Sequence, residues 1–320
     1  MRWFSVKRRQ VHKYTGKHVH PNMCTCVRVY LCTCILPPME TFFTFLEKRV
    51  DDCSSLLCVG LDPHIPDLPS PTAASARDFC LNLVKQTAPY AAAFKPNAAF
   101  FEVFGADGWT ALKQVIEAIN EESQRLGSMI PVILDAKRGD IASTAEAYAK
   151  SAFETLGAHC ITLSPYLGKD SIDPFLSYPE KGVFLLCKTS NAGSGDLQDI
   201  LVKTSEVSET SEVYEPLYVH VAHLAQAWNT RNNIGLVVGA THLDVMKRIR
   251  AAVPDLWFLA PGIGAQGGEL ESALKSGLRA DGKGLLIPIS RGISRAKSPA
   301  KTAAKIRDQI VNIKRELGRG

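Results

Sequence analysis

Two aspartates and a lysine stand within six positions in the segment LDAKRGDIAST (residues 134–144), directly after an apolar run. The charges of Asp135, Lys137 and Asp140 alternate along the chain. Gathering charges at the end of a buried strand costs desolvation free energy, and an opposite charge nearby keeps each group ionised. An ammonium held in this way can stabilise a growing negative charge and then donate a proton. The segment is therefore the first candidate for catalysis.

The elements that would position this segment follow a strand–helix alternation. Apolar runs typical of strands buried on both faces cover eight segments: 55–63, 91–97, 130–140, 159–168, 182–191, 234–241, 257–268 and 284–293. Helical periodicity covers 72–89, 108–126, 143–156, 215–230, 242–252, 268–276 and 298–317. This alternation predicts a single-domain (β/α)8 TIM barrel of the α/β class. A doubly wound open sheet is the alternative, but no G-x-G-x-x-G follows the first run.

Polar side chains stand at the C-terminal ends of several of these runs, where barrel enzymes carry their active sites. Besides the 134–144 segment, the ends hold Asp62, Lys95, Ser190, Gln266 and Arg291. Within the segment, positions 135 and 137 are two apart and are expected to share one face of a strand. A single strand-end aspartate can be a plain helix N-cap. Convergence of alternating charges on one rim favours a catalytic site.

Glycines and an arginine after the last two runs indicate a phosphate site. The stretch PGIGAQGG (261–268) has four glycines in eight residues, which exposes backbone N–H groups to an anion. Arg291 follows the eighth run. Phosphate sites in these barrels form after strands seven and eight. A plain turn would also explain the glycines, but the agreement of two adjacent runs favours phosphate.

The body of the chain has no basic excess. The 320 residues carry a net charge of +5, but residues 1–38 hold seven lysines and arginines and no acid, which leaves −2 for residues 39–320. This balance argues against nucleic acid as a partner. No apolar run approaches the ~20 residues needed to cross a membrane. The scattered cysteines are typical of reduced thiols, and a cytoplasmic protein is expected.

Residues 1–38 are interpreted as a basic, cysteine-containing extension that is disordered or non-native. Met39 begins an amphipathic pattern typical of a protein start, so the barrel domain is predicted to cover 39–320. A targeting segment is one alternative. A soft-metal site is another, although its cysteine spacing matches no standard zinc motif. These cysteines are Cys24, Cys26, Cys32 and Cys34.

Two further features receive non-catalytic interpretations. The stretch 192–213 is rich in serine and glutamate towards its end, which predicts a solvated insertion. His220 and His223 are three apart on a predicted helix and are expected on an exposed helical face rather than as metal ligands. No metal site is predicted.

The combined residues resemble the orotidine 5′-phosphate decarboxylase family over residues 40 to about 315. The most specific element is Asp135-x-Lys137-x-x-Asp140 within DAKRGDIAST, with Thr144 four residues further on. The segments VGLDP, FKPN, APGIGAQGG and SRGI match in order and position. DAKRGD and CKTSNAGS resemble the branch common in bacteria and in some eukaryotic fusion proteins.

The resemblance implies decarboxylation of orotidine 5′-monophosphate to UMP in pyrimidine biosynthesis, with no cofactor. Asp135 would face the substrate carboxylate, and Lys137 would stabilise the vinyl carbanion at carbon six and protonate it. Lys95 would complete the charge array. The resemblance also implies a homodimer with shared active sites. The neighbouring subunit would contribute Asp140, Ile141 and Thr144.

The resemblance also implies the substrate contacts. Asp62 and Lys95 would bind the ribose hydroxyls, and Ser190 would read the edge of the pyrimidine. Gln266 would bridge base and phosphate. The phosphate would be held by Gln266, Gly267 and Arg291.

Two other functions stay open at this point. A sugar-phosphate lyase or synthase of the same suprafamily uses a similar Asp-x-Lys-x-x-Asp but needs magnesium; FKPN and PGIGAQGG favour the decarboxylase. An inactive barrel could instead bind a phosphate ligand or serve as a scaffold, but every catalytic position is intact. The sequence leaves open whether the native chain is fused to an orotate phosphoribosyltransferase.

Overall fold

The apolar runs form strands, and the structure, a computed structural model, describes residues 40–203, 214–263 and 267–319. Eight strands belong to one parallel sheet, and two form a short antiparallel hairpin. In chain order the strands are β1 (Leu57–Leu61), β2 (Ala93–Pro96), β3 (Ile133–Arg138), β4 (Cys160–Leu163), β5 (Gly182–Lys188), β6 (Leu201–Lys203), β7 (Tyr214–Pro216), β8 (Ile234–Val238), β9 (Phe258–Leu259) and β10 (Leu285–Ile289).

The parallel sheet closes on itself. Its strand order is β2-β1-β10-β9-β8-β5-β4-β3, and the hairpin β6–β7 lies outside it. Two further parallel bridges, Phe94 to Val132 and Asn97 to Asp135, join β2 to β3 at the two ends of this order. The predicted (β/α)8 barrel is confirmed, because a doubly wound sheet would leave two open edges.

Helices surround the barrel and follow most of its strands. They are α1 (Phe42–Cys53), α2 (Ala73–Thr87), α3 (Ala99–Glu102), α4 (Gly105–Leu126), α5 (Ala142–Lys150), α6 (Asp173–Leu176), α7 (Gly195–Gln198), α8 (Leu217–Trp228), α9 (Leu243–Ala252), α10 (Gly267–Gly277), α11 (Arg291–Ser294) and α12 (Pro299–Glu316). The single helix predicted over 143–156 is instead α5 followed by a π-helical turn, Ser151–Thr155. The turn is closed by a hydrogen bond from Leu156 N–H to the Ser151 carbonyl.

The N-terminal ends of the strands are covered by α1. This helix begins after the capping residue Thr41, whose hydroxyl accepts a hydrogen bond from Thr44 N–H. The ring of Phe43 lies edge-on to Phe184 at 5.6 Å and stacks on Trp257 at 6.2 Å. All of these rings are buried, so this end of the barrel is closed and any site must open at the C-terminal end.

The predicted insertion at 192–213 is solvated over most of the part that the structure describes. Residues 204–213 lie outside the described residues, as does the proposed extension 1–38. Residues 192–203 form a 3-10 turn, helix α7 and strand β6, and two of their side chains bond to the end of β5. Most of residues 192–203 are exposed, as predicted, and the two contacts additionally tie the segment to the end of β5. None of the helices in the described ranges is long and apolar enough to cross a membrane.

Candidate active site

Three charged side chains form a continuous ion network at the C-terminal ends of β2 and β3. Lys95 Nζ lies 2.7 Å from Asp135 Oδ2, and Lys137 Nζ lies 2.6 Å from Asp135 Oδ1. The side chains of Lys95 and Asp135 are 9% and 12% exposed, whereas that of Lys137 is 50% exposed. Only Lys137 therefore presents its ammonium to the open end of the barrel.

Opposite charges outweigh burial within this network. Burial alone would raise the pKa of the Asp135 carboxyl, but Lys95 and Lys137 lower it to about 2. Burial would likewise lower the pKa of Lys95, but the neighbouring carboxylates of Asp135 and Asp62 raise it. Both groups are ionised at neutral pH, as a site that handles negative charge requires.

The backbone around Lys137 is not regular strand. Its φ is +47°, in the left-handed region that residues with a Cβ rarely adopt. The expectation that positions 135 and 137 share a strand face by simple alternation is therefore wrong. Their side chains still meet, because an irregular turn in β3 brings the Lys137 ammonium back onto Asp135.

Two adjoining cavities open at this end of the barrel. The larger, of about 610 Å³, contains Asp62 and Arg291, and the smaller, of about 480 Å³, contains Asp135, Lys137 and Ser190. Lys95, Pro261 and Pro288 line both. The two cavities thus form one elongated cleft with the ion network near one end and Arg291 at the other.

The larger cavity contains polar atoms that lack partners. Asp62 Oδ1 and Ser290 Oγ are both buried, and no described residue hydrogen-bonds to either. Buried polar atoms are nearly always paired in native proteins, because leaving one unpaired costs free energy. A ligand with donor groups, such as sugar hydroxyls, would satisfy them.

The smaller cavity combines an apolar wall with polar groups at its rim. Leu186, Val237 and Leu259 form the wall, and Thr189 and Ser190 lie at the end of β5. A Cβ on Gly239 would lie 3.0 Å from Ser190 N, so a larger residue would push these two segments apart. A flat ring with polar edges fits such a space.

Gln198, at the end of α7, lines the smaller cavity and holds the Thr189–Ser190 turn. Gln198 Oε1 accepts a hydrogen bond from Thr189 N–H at 2.9 Å, and Gln198 Nε2 donates to Thr189 Oγ1 at 2.9 Å. Asp199 lies 2.6 Å from the buried ammonium of Lys188. Gln198 was not predicted from the sequence, because it stands in a segment that was interpreted as solvated.

The other end of the cleft lies beside β9 and β10. Arg291 is the exposed first residue of α11, and Gly262 lines the same cavity with a φ of +100°. Gly267 is the first residue of α10. Gln266 lies outside the described residues. Arg291 thus places a positive charge at this end of the larger cavity, where it can attract an anion.

Comparison with known proteins gives the family. The family model described as "Orotidine 5′-phosphate decarboxylase / HUMPS family" matches residues 55–306. The chain belongs to this family. An orotidine 5′-phosphate decarboxylase of Roseiflexus castenholzii is 46% identical over 270 residues, which cover 83% of this chain and 93% of that protein.

Solved structures within the decarboxylase family have the same fold. The Leishmania donovani OMP decarboxylase superimposes with a TM-score of 0.74 at 50% identity, covering 86% of this chain and 98% of that one. The Leishmania donovani UMP synthase gives a TM-score of 0.75 at 52% identity, covering 86% of this chain and 56% of that one. The match thus covers nearly the whole length of the decarboxylase and about half of the length of the synthase.

Three of the site residues expected from the sequence stand apart from the ion network. Asp140 Oδ1 accepts a hydrogen bond from Ile141 N–H at 2.8 Å, and among the described residues no ion pair joins Asp140 to Lys137. Ile141 is 52% exposed, and Thr144 is also exposed. The three surround the start of α5 on the surface of this chain.

The histidines noted in the sequence and the described cysteines lie away from the elongated cleft. His220 and His223 are 40% and 50% exposed, and their Nδ1 atoms each lie 3.2 Å from a different oxygen of Glu215. The described cysteines are all free and buried, and burial raises the pKa of the Cys58 thiol to about 12. Neither group lines the two cavities that hold the ion network.

Proposed function

We propose that the chain decarboxylates orotidine 5′-monophosphate to UMP, a step of pyrimidine biosynthesis, without a metal or other cofactor. The observation that carries this proposal is the elongated cleft, with the Lys95–Asp135–Lys137 network near one end and Arg291 at the other. A nucleoside monophosphate has a matching shape and polarity. Its base fits the smaller cavity and its phosphate the larger.

The binding contacts follow from this orientation. The unpaired Asp62 Oδ1 and the Lys95 ammonium would contact the ribose hydroxyls midway along the cleft, and Ser190 would read the edge of the base. Arg291 would hold the phosphate together with Gln266 and Gly267. Binding free energy gained at the phosphate can then be used to hold the base against the charged network.

The reaction itself would proceed at the ion network. The bond between carbon six and the carboxylate breaks, carbon dioxide leaves, and the electron pair remains on carbon six. Asp135 is ionised, so it repels the substrate carboxylate beside it. The half-exposed ammonium of Lys137 stabilises the carbanion and transfers a proton from Nζ to carbon six.

A magnesium-dependent reaction fits this site poorly. Magnesium prefers carboxylate oxygens, but both oxygens of Asp135 are already bound by ammonium groups. A divalent cation there would be repelled by two lysines. The donor set therefore favours the decarboxylase over a metal-dependent lyase or synthase.

The first test follows the substrate. Orotidine 5′-monophosphate absorbance should fall in the presence of purified chain and excess chelator, and UMP should be the only nucleotide formed. Absence of turnover, or turnover that requires added magnesium, would overturn the proposed function.

We also propose that the active unit is a homodimer in which Asp140, Ile141 and Thr144 complete the partner's site. Among the described residues no hydrogen bond or ion pair joins these residues to Lys137, and the loop after β4, which is bonded to the end of β3, carries two more exposed apolar side chains. Tyr166 and Leu167 are 77% and 47% exposed and follow Ser164, whose N–H donates to the Arg138 carbonyl at 2.7 Å. Such exposed apolar groups are typical of subunit interfaces.

Complementation tests the shared site. Asp140→Ala and Lys137→Ala chains are each expected to keep only a small residual activity, but a hybrid dimer contains one intact site. Random re-association makes half of the dimers hybrid, so mixing should restore about one quarter of wild-type activity per chain. Mixtures that re-associate and gain no activity would contradict the shared site.

The barrel domain is proposed to cover residues 39–320 and to act in the cytoplasm, in agreement with the free state of its described cysteines. A chain that begins at Met39 should keep the kinetic constants and the melting temperature of the full chain. A large change in either would show that residues 1–38 contribute to the enzyme.

A further inference from the structure

The residue that shapes the ion network is on the neighbouring strand. Thr162 lies on β4, is 1% exposed, and uses its hydroxyl for three hydrogen bonds. Its Oγ1 accepts from Ala136 N–H at 3.0 Å and from Lys137 N–H at 2.9 Å, and donates to Asp135 Oδ1 at 3.1 Å. A hydroxyl has one donor and two acceptor positions, so all three are used.

The register of β3 and β4 explains why this hydroxyl is needed. Leu134 pairs with Ile161 and Arg138 pairs with Leu163, so the three residues 135–137 lie opposite Thr162 alone. The extra residues form a bulge, and a bulge deprives backbone N–H groups of their ladder partners. The Thr162 hydroxyl takes the place of those partners for two successive N–H groups.

The bulge is also what gives Lys137 its unusual backbone. A lysine at φ +47° is strained, and such strain persists only where the surroundings hold it. Two of the three bonds hold this turn directly, and the third orients the carboxylate that the Lys137 ammonium contacts at 2.6 Å. One hydroxyl thus determines both the direction of the lysine and the position of its partner.

We propose that Thr162 is a positioning residue for the decarboxylation: its hydroxyl holds the bulge that directs Lys137 towards the substrate and fixes the Asp135 carboxylate. This proposal rests on the proposed function. Thr162 acts through Lys137 and Asp135 and supplies neither charge nor proton itself. Its loss should therefore slow the chemical step and leave substrate binding nearly intact.

The test compares Thr162→Ser with Thr162→Ala. Both variants remove the same methyl group, and they differ in the hydroxyl oxygen. Thr162→Ser should keep kcat within about threefold of wild type, whereas Thr162→Ala should lose roughly 10²-fold in kcat, the usual effect of misplacing a catalytic group by about 1 Å. KM should change by less than about threefold in both variants.

Thr162→Val separates this role from packing, because valine keeps the volume and removes the hydroxyl. A positioning role predicts that Thr162→Val resembles Thr162→Ala. A packing role predicts that Thr162→Val resembles wild type while Thr162→Ser and Thr162→Ala are equally impaired.

Thr87→Val is the matched control: Thr87 is fully buried on α2 and donates one hydrogen bond to the Leu83 carbonyl. The melting temperature of the Thr87→Val variant should fall, and its kcat should stay unchanged.

A double-mutant cycle with Lys137→Ala completes the test. If Thr162 acts through Lys137, Thr162→Ala should cost far less in residual rate when Lys137 is already absent. Wild-type turnover of orotidine 5′-monophosphate is measured first, and its absence would overturn the proposed function itself. With wild-type turnover present, equal rates for Thr162→Ser and Thr162→Ala, or an undiminished effect in the Lys137→Ala background, would overturn only the role of Thr162.

Discussion

The barrel carries a charge cluster at each end, and the two are built differently. At the N-terminal end, Arg279 Nη2 lies 2.6 Å from both Glu47 Oε1 and Asp281 Oδ2, and its guanidinium lies 5.5 Å from the ring centroid of Trp257. Arg279 Nη1 also donates to the Asp255 carbonyl. The charges in this cluster are paired with one another, and the cluster links the segments that precede β9 and β10 to α1.

The C-terminal cluster leaves hydrogen-bonding capacity unused. Lys137 is half exposed and strained, and Asp62 Oδ1 and Ser290 Oγ are buried with no partner among the described residues. The comparison indicates that charges paired with one another stabilise the fold at the N-terminal end. Strained and unpaired groups lie instead at the C-terminal end, where a ligand can bind them. Stability is commonly sacrificed in this way at active sites.

The largest expected effect is on the chemistry at Lys137. Lys137→Ala should lower kcat by at least ~10²–10⁴-fold, because both the proton donor and the charge that stabilises the carbanion disappear. The measurement is turnover of orotidine 5′-monophosphate at saturating substrate. Near-normal turnover would mean that the C-terminal cluster is not the catalytic one.

A smaller effect is expected at Arg291, and it should depend on the phosphate. A hydrogen bond to a charged group is worth ~1.5–3 kcal/mol, so Arg291→Ala should lower kcat/KM for orotidine 5′-monophosphate by roughly 10- to 150-fold. Orotidine without phosphate should be a poor substrate for wild type, and the variant should be little worse. Equal losses on both substrates would assign Arg291 to the support of the barrel.

At the other end of the barrel, the effect should fall on stability. Arg279→Ala leaves Glu47 and Asp281 without their partner, and we expect a loss of about 1–3 kcal/mol in the free energy of unfolding with kcat unchanged. The measurement is urea unfolding beside kinetics. Lys247→Ala, which breaks an exposed pair with Asp244, should cost less than about 0.5 kcal/mol and serves as the control. A lower kcat in Arg279→Ala would contradict the claim that the N-terminal cluster serves stability and the C-terminal cluster serves catalysis.

The last effect depends on pH and concerns acid stability at the N-terminal end. Burial lowers the pKa of His159 from 6.5 to about 4, with a smaller contribution from Lys181. The unfolded chain therefore binds more protons between these values, so stability should fall as pH drops from 6.5 towards 4, by up to ~1.4 kcal/mol per pH unit. His159→Asn retains an acceptor for Val132 N–H and should flatten this dependence. An unchanged slope would show that another group controls it.

The sequence predicts the barrel because each strand is a continuous apolar run and the polar residues cluster where the runs end. It also places Asp135, Lys137 and Arg291 at one rim, since parallel strands end at one edge. The bulge at Lys137 and the role of Thr162 could not be predicted. Both depend on the register between β3 and β4, which is a long-range property of the folded sheet. The contact from Gln198 was missed for a similar reason, because nothing local in its segment indicates the turn that it holds.

The division between the two ends is tested most directly by urea unfolding of Lys137→Gly beside wild type. Glycine adopts a φ of +47° without strain, the lost lysine is half exposed, and the nearly buried Asp135 keeps its ion pair with Lys95. The free energy of unfolding should therefore be equal to that of wild type or up to about 1 kcal/mol higher, although the variant is inactive. A loss of more than about 1 kcal/mol would show that the C-terminal cluster holds the fold together and would contradict the division between a stabilising end and a catalytic end.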